Sequence, residues 1–360
     1  MIRSHNFSAG PSALPIEVLE KVHQELFDFS GTGASIMEIS HRSTTFNSLF
    51  QKIETDIRYI LQIPENYKAL FLQGGATLQF SQVPMNILNG KKKADYVHTG
   101  LWSGKAIRSA SRYCDVNIVA SNEMTGFDNI PLQEEWNLSS DAAYLHYTEN
   151  ETVQGVQFNY TPNSSVPLVC DASSSLLSKP IELNQHGLVY ASAQKNIGIS
   201  GVTIVIINED LFNMASNSTP EILNYTSLAK ANSMINTPAT FPLYITGLML
   251  DWLISQGGIA EVHHRNKQKA ELLYDTISSS GGFYKNNVID EFRSISNVPF
   301  STVCSDMDHS FIKTAEQNGF KGLKGHSSTG GLRASIYNSI SISEVRDLAE
   351  FMNYFMTKNG

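Results

Sequence analysis

Cysteine is scarce in this 360-residue chain: three residues, Cys114, Cys170 and Cys304, with no CxxC pair among them. An odd, scattered set argues against a disulfide framework or a zinc cluster and for free thiols in a reducing compartment. Basic tracts are missing as well. The only short run is Lys91-Lys92-Lys93, and 26 Lys and Arg against 34 Asp and Glu leave a net charge of −8. Nucleic acid is therefore not an expected partner. The most apolar helical stretch, Phe241 to Ile254, is interrupted by Pro242, Thr246, Gly247 and Asp251, whereas a membrane span needs about 20 apolar residues. The opening MIRSHNFSAGPSALP has no apolar core of a secretory signal. Several active-site signatures are absent too. Gly100 to Ala106 is one residue short of a P-loop, Gly31-Thr-Gly33 has no third glycine at dinucleotide spacing, and neither HExxH nor GxSxG occurs. The expectation is a soluble cytoplasmic protein that is not a kinase, dehydrogenase, zinc hydrolase or α/β-hydrolase.

What is present is the composition of a folded protein, 41% hydrophobic and 17% charged, with length enough for two domains. From residue 16 to 260, helical and strand patterns alternate. Helices are expected from Pro15 to about Phe29, from Ala76 onward with a break near Pro84, and from Ser103 to Tyr113. Strands are expected at 68–72, 96–98, 116–120, 143–147, 168–171, 188–193 and 202–207. Short β-branched runs alternating with helices indicate an α/β fold with a mostly parallel sheet covered on both faces. After a long helix, 259–278, strands near 300–304 and 332–337 and helices near 306–318 and 343–357 suggest a smaller α/β unit. Residues 1–14 are expected to pack against it.

The chemistry-bearing residues lie at expected strand ends, where α/β sheets bind ligands. Leu168-Val-Cys-Asp171 is an apolar run ending in a carboxylate, and 24 residues later Val189-Tyr-Ala-Ser-Ala-Gln-Lys195 ends in a lysine. A pyridoxal phosphate enzyme needs such a pair, a lysine to carry the cofactor and a carboxylate to keep its pyridine nitrogen protonated. Alone, Asp171 reads more readily as a turn cap and Lys195 as a solvated lysine. Gln73-Gly-Gly-Ala-Thr77, between a strand and a helix, adds backbone N–H groups and a hydroxyl able to cradle a phosphate.

Longer stretches carry a resemblance. NFSAGPSALP (6–15), SIMEISHRS (35–43), FLQGGATLQF (71–80), TGLWSGKA (99–106), HYTENETVQGV (146–156), CDASSSLLS (170–178), ASAQKNIG (191–198), NTPATFPLY (236–244) and GHSSTGGLRASIYN (325–338) resemble the phosphoserine aminotransferase family. That family lies within the class V aminotransferases and the fold type I pyridoxal phosphate enzymes. The resemblance implies a large cofactor-binding domain, residues 16–260, and a small domain from 1–15 and 261–360. It places the cofactor, pyridoxal 5′-phosphate, on Lys195 with Asp171 as its pyridinium partner and Trp102 as its stacking ring. Thr152 would bond the ring hydroxyl, and Ala76, Thr77 and Gln194 would hold the phosphate. Asn236 and Thr237 would come from the other subunit of a homodimer with composite sites. His41, Arg42, His326 and Arg333 would bind the substrate's anionic groups, and no metal is implied.

The implied reaction transfers the amino group of L-glutamate to 3-phosphohydroxypyruvate, a step of serine biosynthesis. In some bacteria the family also acts in pyridoxine biosynthesis. The sequence departs from the pattern at one place, since Ser327 follows His326 where family members usually carry arginine. Serine lacks the charge and the guanidinium fork that match phosphate oxygens, and Lys321 or Lys324 could serve instead. Alternatives at this point are another class V aminotransferase acting on a plain amino acid such as serine or alanine, a desulfurase, and a cofactor-binding protein without turnover.

Overall fold

The computed structural model describes residues 3–360. Seven strands form the central sheet, in the order 67–72, 203–208, 188–192, 168–171, 145–148, 93–98, 115–121. All pairs are parallel except the two made by Thr203–Asn208, which runs against both of its neighbours. The mostly parallel sheet expected from the sequence is therefore present, with one reversed strand. Leu168–Asp171 and Leu188–Ser192 are buried along their whole length, as strands covered on both faces require. Their C-terminal ends share one edge of the sheet. Register sets Thr148 beside Asp171 and Asp171 beside Tyr190, so the residues at this edge are neighbours by virtue of backbone pairing.

Two apolar clusters sandwich the sheet. One gathers Phe46, Ile53, Ile57, Phe71, Leu145, Val189, Ile204 and Leu250, the other Phe80, Val83, Tyr96, Tyr144, Tyr190 and Val205. The helix Gly75–Ile87 runs through Pro84 without the expected break. Proline inside a helix costs about 3 kcal/mol or more. Phe80, Val83, Pro84 and Ile87 are all buried, and that burial offsets the lost backbone bond. The eighteen-residue helix Thr44–Leu61 was not among the expected elements. It is capped by Ser43, whose hydroxyl accepts from Phe46 N–H, and it buries Phe46, Phe50, Ile53 and Ile57 on one face.

A third cluster joins Phe7 and Ala13 to Leu273, Val298, Phe311, Phe320, Ala334, Leu348 and Phe355. Its strands Asn297–Phe300 and Leu332–Ser335 pair antiparallel, between the helices Gly258–Ser278, Ser305–Gln317 and Ile342–Asn359. The N-terminal segment packs here as expected. His5–Asn6 pairs parallel with Phe320–Lys321, and Phe7 N–H donates to Lys321 O at 2.9 Å. Residues 1 and 2 of that segment lie outside the described residues. No helix among the described residues is long and apolar enough to cross a membrane.

Candidate active site

A cavity of about 300 Å³ opens at the C-terminal edge of the sheet. Asp171, the last residue of its strand, enters it from below, and Lys195 enters from the turn after Leu188–Ser192. That turn is held from outside by the N-terminal segment. Ser12 N–H donates to Gln194 O at 3.0 Å, and Ser12 Oγ–H donates to Lys195 O at 2.5 Å. Gly10 lies beside the aliphatic stems of Gln194 and Lys195, where a Cβ would make ordinary van der Waals contact. The next residue, Asn196, is fixed on both sides. Its amide donates to Ser174 O at 2.8 Å, and its Oδ1 accepts from Asn338 N–H at 3.0 Å.

Burial and charge tune the two central groups in opposite senses. Burial pushes the Lys195 ammonium down to about 8, against the charges of Asp171 and Glu151, which favour it; Arg333 lowers it further. Burial pushes the Asp171 carboxyl up, and the Ser173 hydrogen bonds, the Lys195 charge and Tyr190 pull it back. Ser173 N–H donates to Asp171 Oδ1 at 3.0 Å.

The walls come from three further segments. The indole of Trp102 lies with its ring centroid 5.7 Å from Lys195 Nζ, and Lys105 Nζ stands 4.2 Å from the same centroid. Trp102 Nε1–H donates to Thr152 Oγ1 at 2.9 Å, and Arg333 donates from NH1 to the Thr152 carbonyl at 3.0 Å. The N-terminus of helix Gly75–Ile87 also lines the cavity through Ala76 and Thr77, preceded by Gly74 at φ +99° and with no side-chain cap. Gly75 has φ +70°, a region that favours glycine, and Ala76 N–H donates to Ser192 Oγ at 2.6 Å. An uncapped helix N-terminus of this kind favours an anion.

Of the residues singled out from the sequence, Ala76, Thr77, Trp102, Thr152, Asp171, Gln194, Lys195, His326 and Arg333 line this one cavity. His326 Nδ1 accepts from Ser328 N–H at 3.1 Å, so in this arrangement its proton sits on Nε2. Burial and the charges of Arg333 and Lys105 lower its affinity for a second proton. Ser327 is exposed beside it. Four of the expected residues do not line the cavity. His41 and Arg42 lie in the turn before helix Thr44–Leu61. Asn236 lines a separate cavity beside Gln73 and Gly74, and Gln73 donates to the Thr237 carbonyl at 3.1 Å.

The sequence reading missed Thr148, Asn150, Ser173 and Ser192 in the wall. All four lie inside matched stretches, 146–156, 170–178 and 191–198, but no role was assigned to them there; strand register and the turns that follow bring them in. Asn150 and Thr148 are buried, and Asn150 Oδ1, Thr148 Oγ1 and Arg333 Nε find no partner. Unpaired buried polar atoms are costly in a folded protein, and all three belong to residues that line the cavity. An aromatic wall, a buried carboxylate, a lysine of lowered affinity and an uncapped helix N-terminus match the parts of pyridoxal phosphate one by one. The residues fit that cofactor.

Comparison with known proteins agrees. The model of the family described as Aminotransferase class-V matches residues 4–348. A phosphoserine aminotransferase of Acinetobacter baumannii (strain ACICU) is 51% identical over 360 residues, covering 100% of both chains. Among solved structures, phosphoserine aminotransferase from Bacillus circulans subsp. alkalophilus superposes with a TM-score of 0.97 at 44% identity, covering 99% of each chain. The pyridoxal-phosphate-bound phosphoserine aminotransferase of Trichomonas vaginalis superposes with a TM-score of 0.95 at 37% identity, covering 98% of this chain and 100% of that one.

Proposed function

This chain belongs to the class V aminotransferases, in their phosphoserine aminotransferase branch, and from that premise we propose how its residues divide the work. The reaction is the pyridoxal-phosphate-dependent transfer of the amino group from L-glutamate to 3-phosphohydroxypyruvate, giving O-phospho-L-serine and 2-oxoglutarate. When bound, the cofactor supplies an aldehyde for the amino group and a protonated ring that draws electrons from the substrate's Cα. The observation that carries the division of roles is the convergence of Lys195, Asp171, Trp102 and Arg333 on one cavity.

Lys195 holds the cofactor and, once released from it, moves the proton at the substrate's Cα. A lowered ammonium affinity suits both tasks, because the neutral amine is the base. Asp171 keeps the proton on the ring nitrogen, and Ser173 orients its carboxylate. Trp102 forms the face on which the ring rests, and Thr152 meets the ring hydroxyl. Ala76, Thr77 and Gln194 take the cofactor phosphate at the helix N-terminus. Arg333, with Nε free of partners, takes the substrate carboxylate. His326 stands at the mouth as a neutral Nε2–H donor for the substrate's second anionic group, and Arg333 and Lys105 supply a local positive field within a chain of net charge −8.

His41, Arg42, Asn236 and Thr237 then act in the cavity of a second copy, in a homodimer with two composite sites. Residues 16–260 serve as the cofactor domain, and 1–15 with 261–360 as the small domain. The three free cysteines suit a reducing, cytoplasmic setting. The test is a side-by-side measurement of phosphoserine, serine and alanine as amino donors, in the wild type and in Ser327→Arg. Phosphoserine should be the best donor, and the arginine should lower its apparent KM by about tenfold while changing that for glutamate much less. A preference for serine or alanine would move the substrate to a plain amino acid.

A further inference from the structure

We infer that Glu151 is a positioning residue for the cofactor's ring: it fixes Trp102 through the first turn of helix Leu101–Ala110 and locks that helix to the segment bearing Thr152. The inference rests on the reading that Trp102 is the ring's stacking face.

Glu151 is fully buried, 0% exposed, in the short strand Asn150–Glu151. Its carboxylate receives three donors. Trp102 N–H reaches Oε2 at 2.9 Å, and Ser103 N–H and Ser103 Oγ–H reach Oε1 at 2.8 and 2.7 Å. Gln154, from the same turn, accepts from Leu101 N–H at 3.2 Å. The first three amides of the helix are thus all taken by side chains of one other segment. Thr152, next to Glu151, receives the indole N–H of the same Trp102. Trp102 is therefore tied at its backbone and at its ring to two consecutive residues, and the carbonyl of the second of them holds Arg333.

The fit is close. A Cβ at Gly100 would stand 2.6 Å from both Glu151 Cδ and Gln154 Oε1, so only glycine lets the helix end approach the carboxylate. Glu151 has no ion-pair partner among the described residues. Burial pushes its carboxyl up, and the Ser103 and Trp102 bonds pull it down. A buried, unpaired carboxylate is a costly way to cap a helix, since an exposed serine or aspartate at the cap serves as well. What the buried charge adds is a rigid joint between the wall of the cavity and the segment that carries Thr152. The Glu151 charge also favours the Lys195 ammonium.

The test is a double-mutant cycle on pyridoxal 5′-phosphate binding to the apoenzyme, followed by fluorescence titration and equilibrium dialysis. The variants are Glu151→Gln, Trp102→Phe and the pair. Glutamine keeps the volume but turns one acceptor into a donor facing an N–H. Loss of a hydrogen bond to a charged group corresponds to about tenfold or more in affinity. Each single variant should raise Kd by about tenfold or more, and the double variant should match Trp102→Phe to within about threefold. Near-ultraviolet dichroism should show Glu151→Gln losing the same tryptophan band that Trp102→Phe loses. If the two effects multiply, or if the band survives in Glu151→Gln, Glu151 does not act through Trp102 and the inference fails. If Trp102→Phe binds the cofactor normally, it is the stacking role that fails, and the inference falls with it. Should Glu151→Gln not fold, Ser103→Ala removes one of the three donors and leaves the charge; a Kd rise of about threefold that disappears in the Trp102→Phe background supports the inference, and an unchanged or persistent effect overturns it.

Discussion

Lys195 and Lys269 both sit inside the protein, and burial pushes both ammonium groups down, to about 8 and to about 7, yet their surroundings oppose each other. Lys269, on helix Gly258–Ser278, is 2% exposed and donates to the carbonyls of Ile336 at 3.0 Å, Tyr337 at 2.8 Å and Ile340 at 2.8 Å. Only the charged form has three N–H donors, so three acceptors pull against the burial that lowers it. Lys195 donates no side-chain hydrogen bond among the described residues and faces a cavity with a carboxylate nearby. A low proton affinity alone does not mark a reactive lysine. What separates the two is uncommitted hydrogen-bonding capacity and a path to a ligand. Lys269 acts instead as a peg, holding the chain immediately after the strand Leu332–Ser335 that presents Arg333.

Exchanging each lysine should therefore produce opposite losses. Lys195→Ala should lower the transamination rate by about 10⁴-fold or more with the fold intact by circular dichroism; turnover within tenfold of wild type would remove Lys195 from its role. Asp171→Asn should lower kcat by about 10²–10³-fold, because a neutral amide does not hold the ring proton; a near-normal rate and cofactor absorption band would break the pairing. Lys269→Met should strand buried carbonyls, at about 1–3 kcal/mol each when left unsatisfied. With three carbonyls stranded, urea unfolding should show a loss of about 3 kcal/mol or more while kcat, measured well below the melting temperature, changes less than about threefold. A large fall in kcat with unchanged stability would make Lys269 part of the chemistry. The smallest effect is a shift in pH dependence. Only the neutral amine attacks an aldehyde, so capture of pyridoxal 5′-phosphate by the apoenzyme should accelerate as pH rises through about 8. A midpoint near the ordinary lysine value of about 10.5 would show that Lys195 is not desolvated.

How much of this could be read from the amino-acid order follows from the distance over which each feature is encoded. Asp171 and Lys195 close short apolar runs, and a run ending in a polar residue is a local signal. Gly74-Gly75 is local too, since the turn needs φ values that few other residues accept. The helix Thr44–Leu61 was missed although its signal is local too, with Ser43 as cap and apolar residues at 46, 50, 53, 57 and 60, a spacing of three and four. Thr148 and Asn150 lie in the matched stretch 146–156, yet no local pattern gave them a role, because their place depends on which strands become neighbours. Glu151 was hidden for the same reason, as its partners lie 48 and 49 positions away. Without the resemblance, Asn236 and Thr237 read as a turn before a helix, and nothing within this chain brings them to the cavity.

The N-terminal segment gives the site a timetable. Ala9 lines the cavity, and its carbonyl accepts from Tyr337 Oη–H at 2.8 Å across 328 positions of chain. At roughly 5–20 residues per second of synthesis, Ala9 leaves the ribosome on the order of tens of seconds before Tyr337 exists. Throughout that interval the N-terminal segment, made first, lacks the Tyr337 hydroxyl that ties it down, and the strand edge lacks the strand that supplies Arg333. A nascent chain can build its sheet early, but a cavity able to grip a substrate anion belongs only to the nearly finished polypeptide.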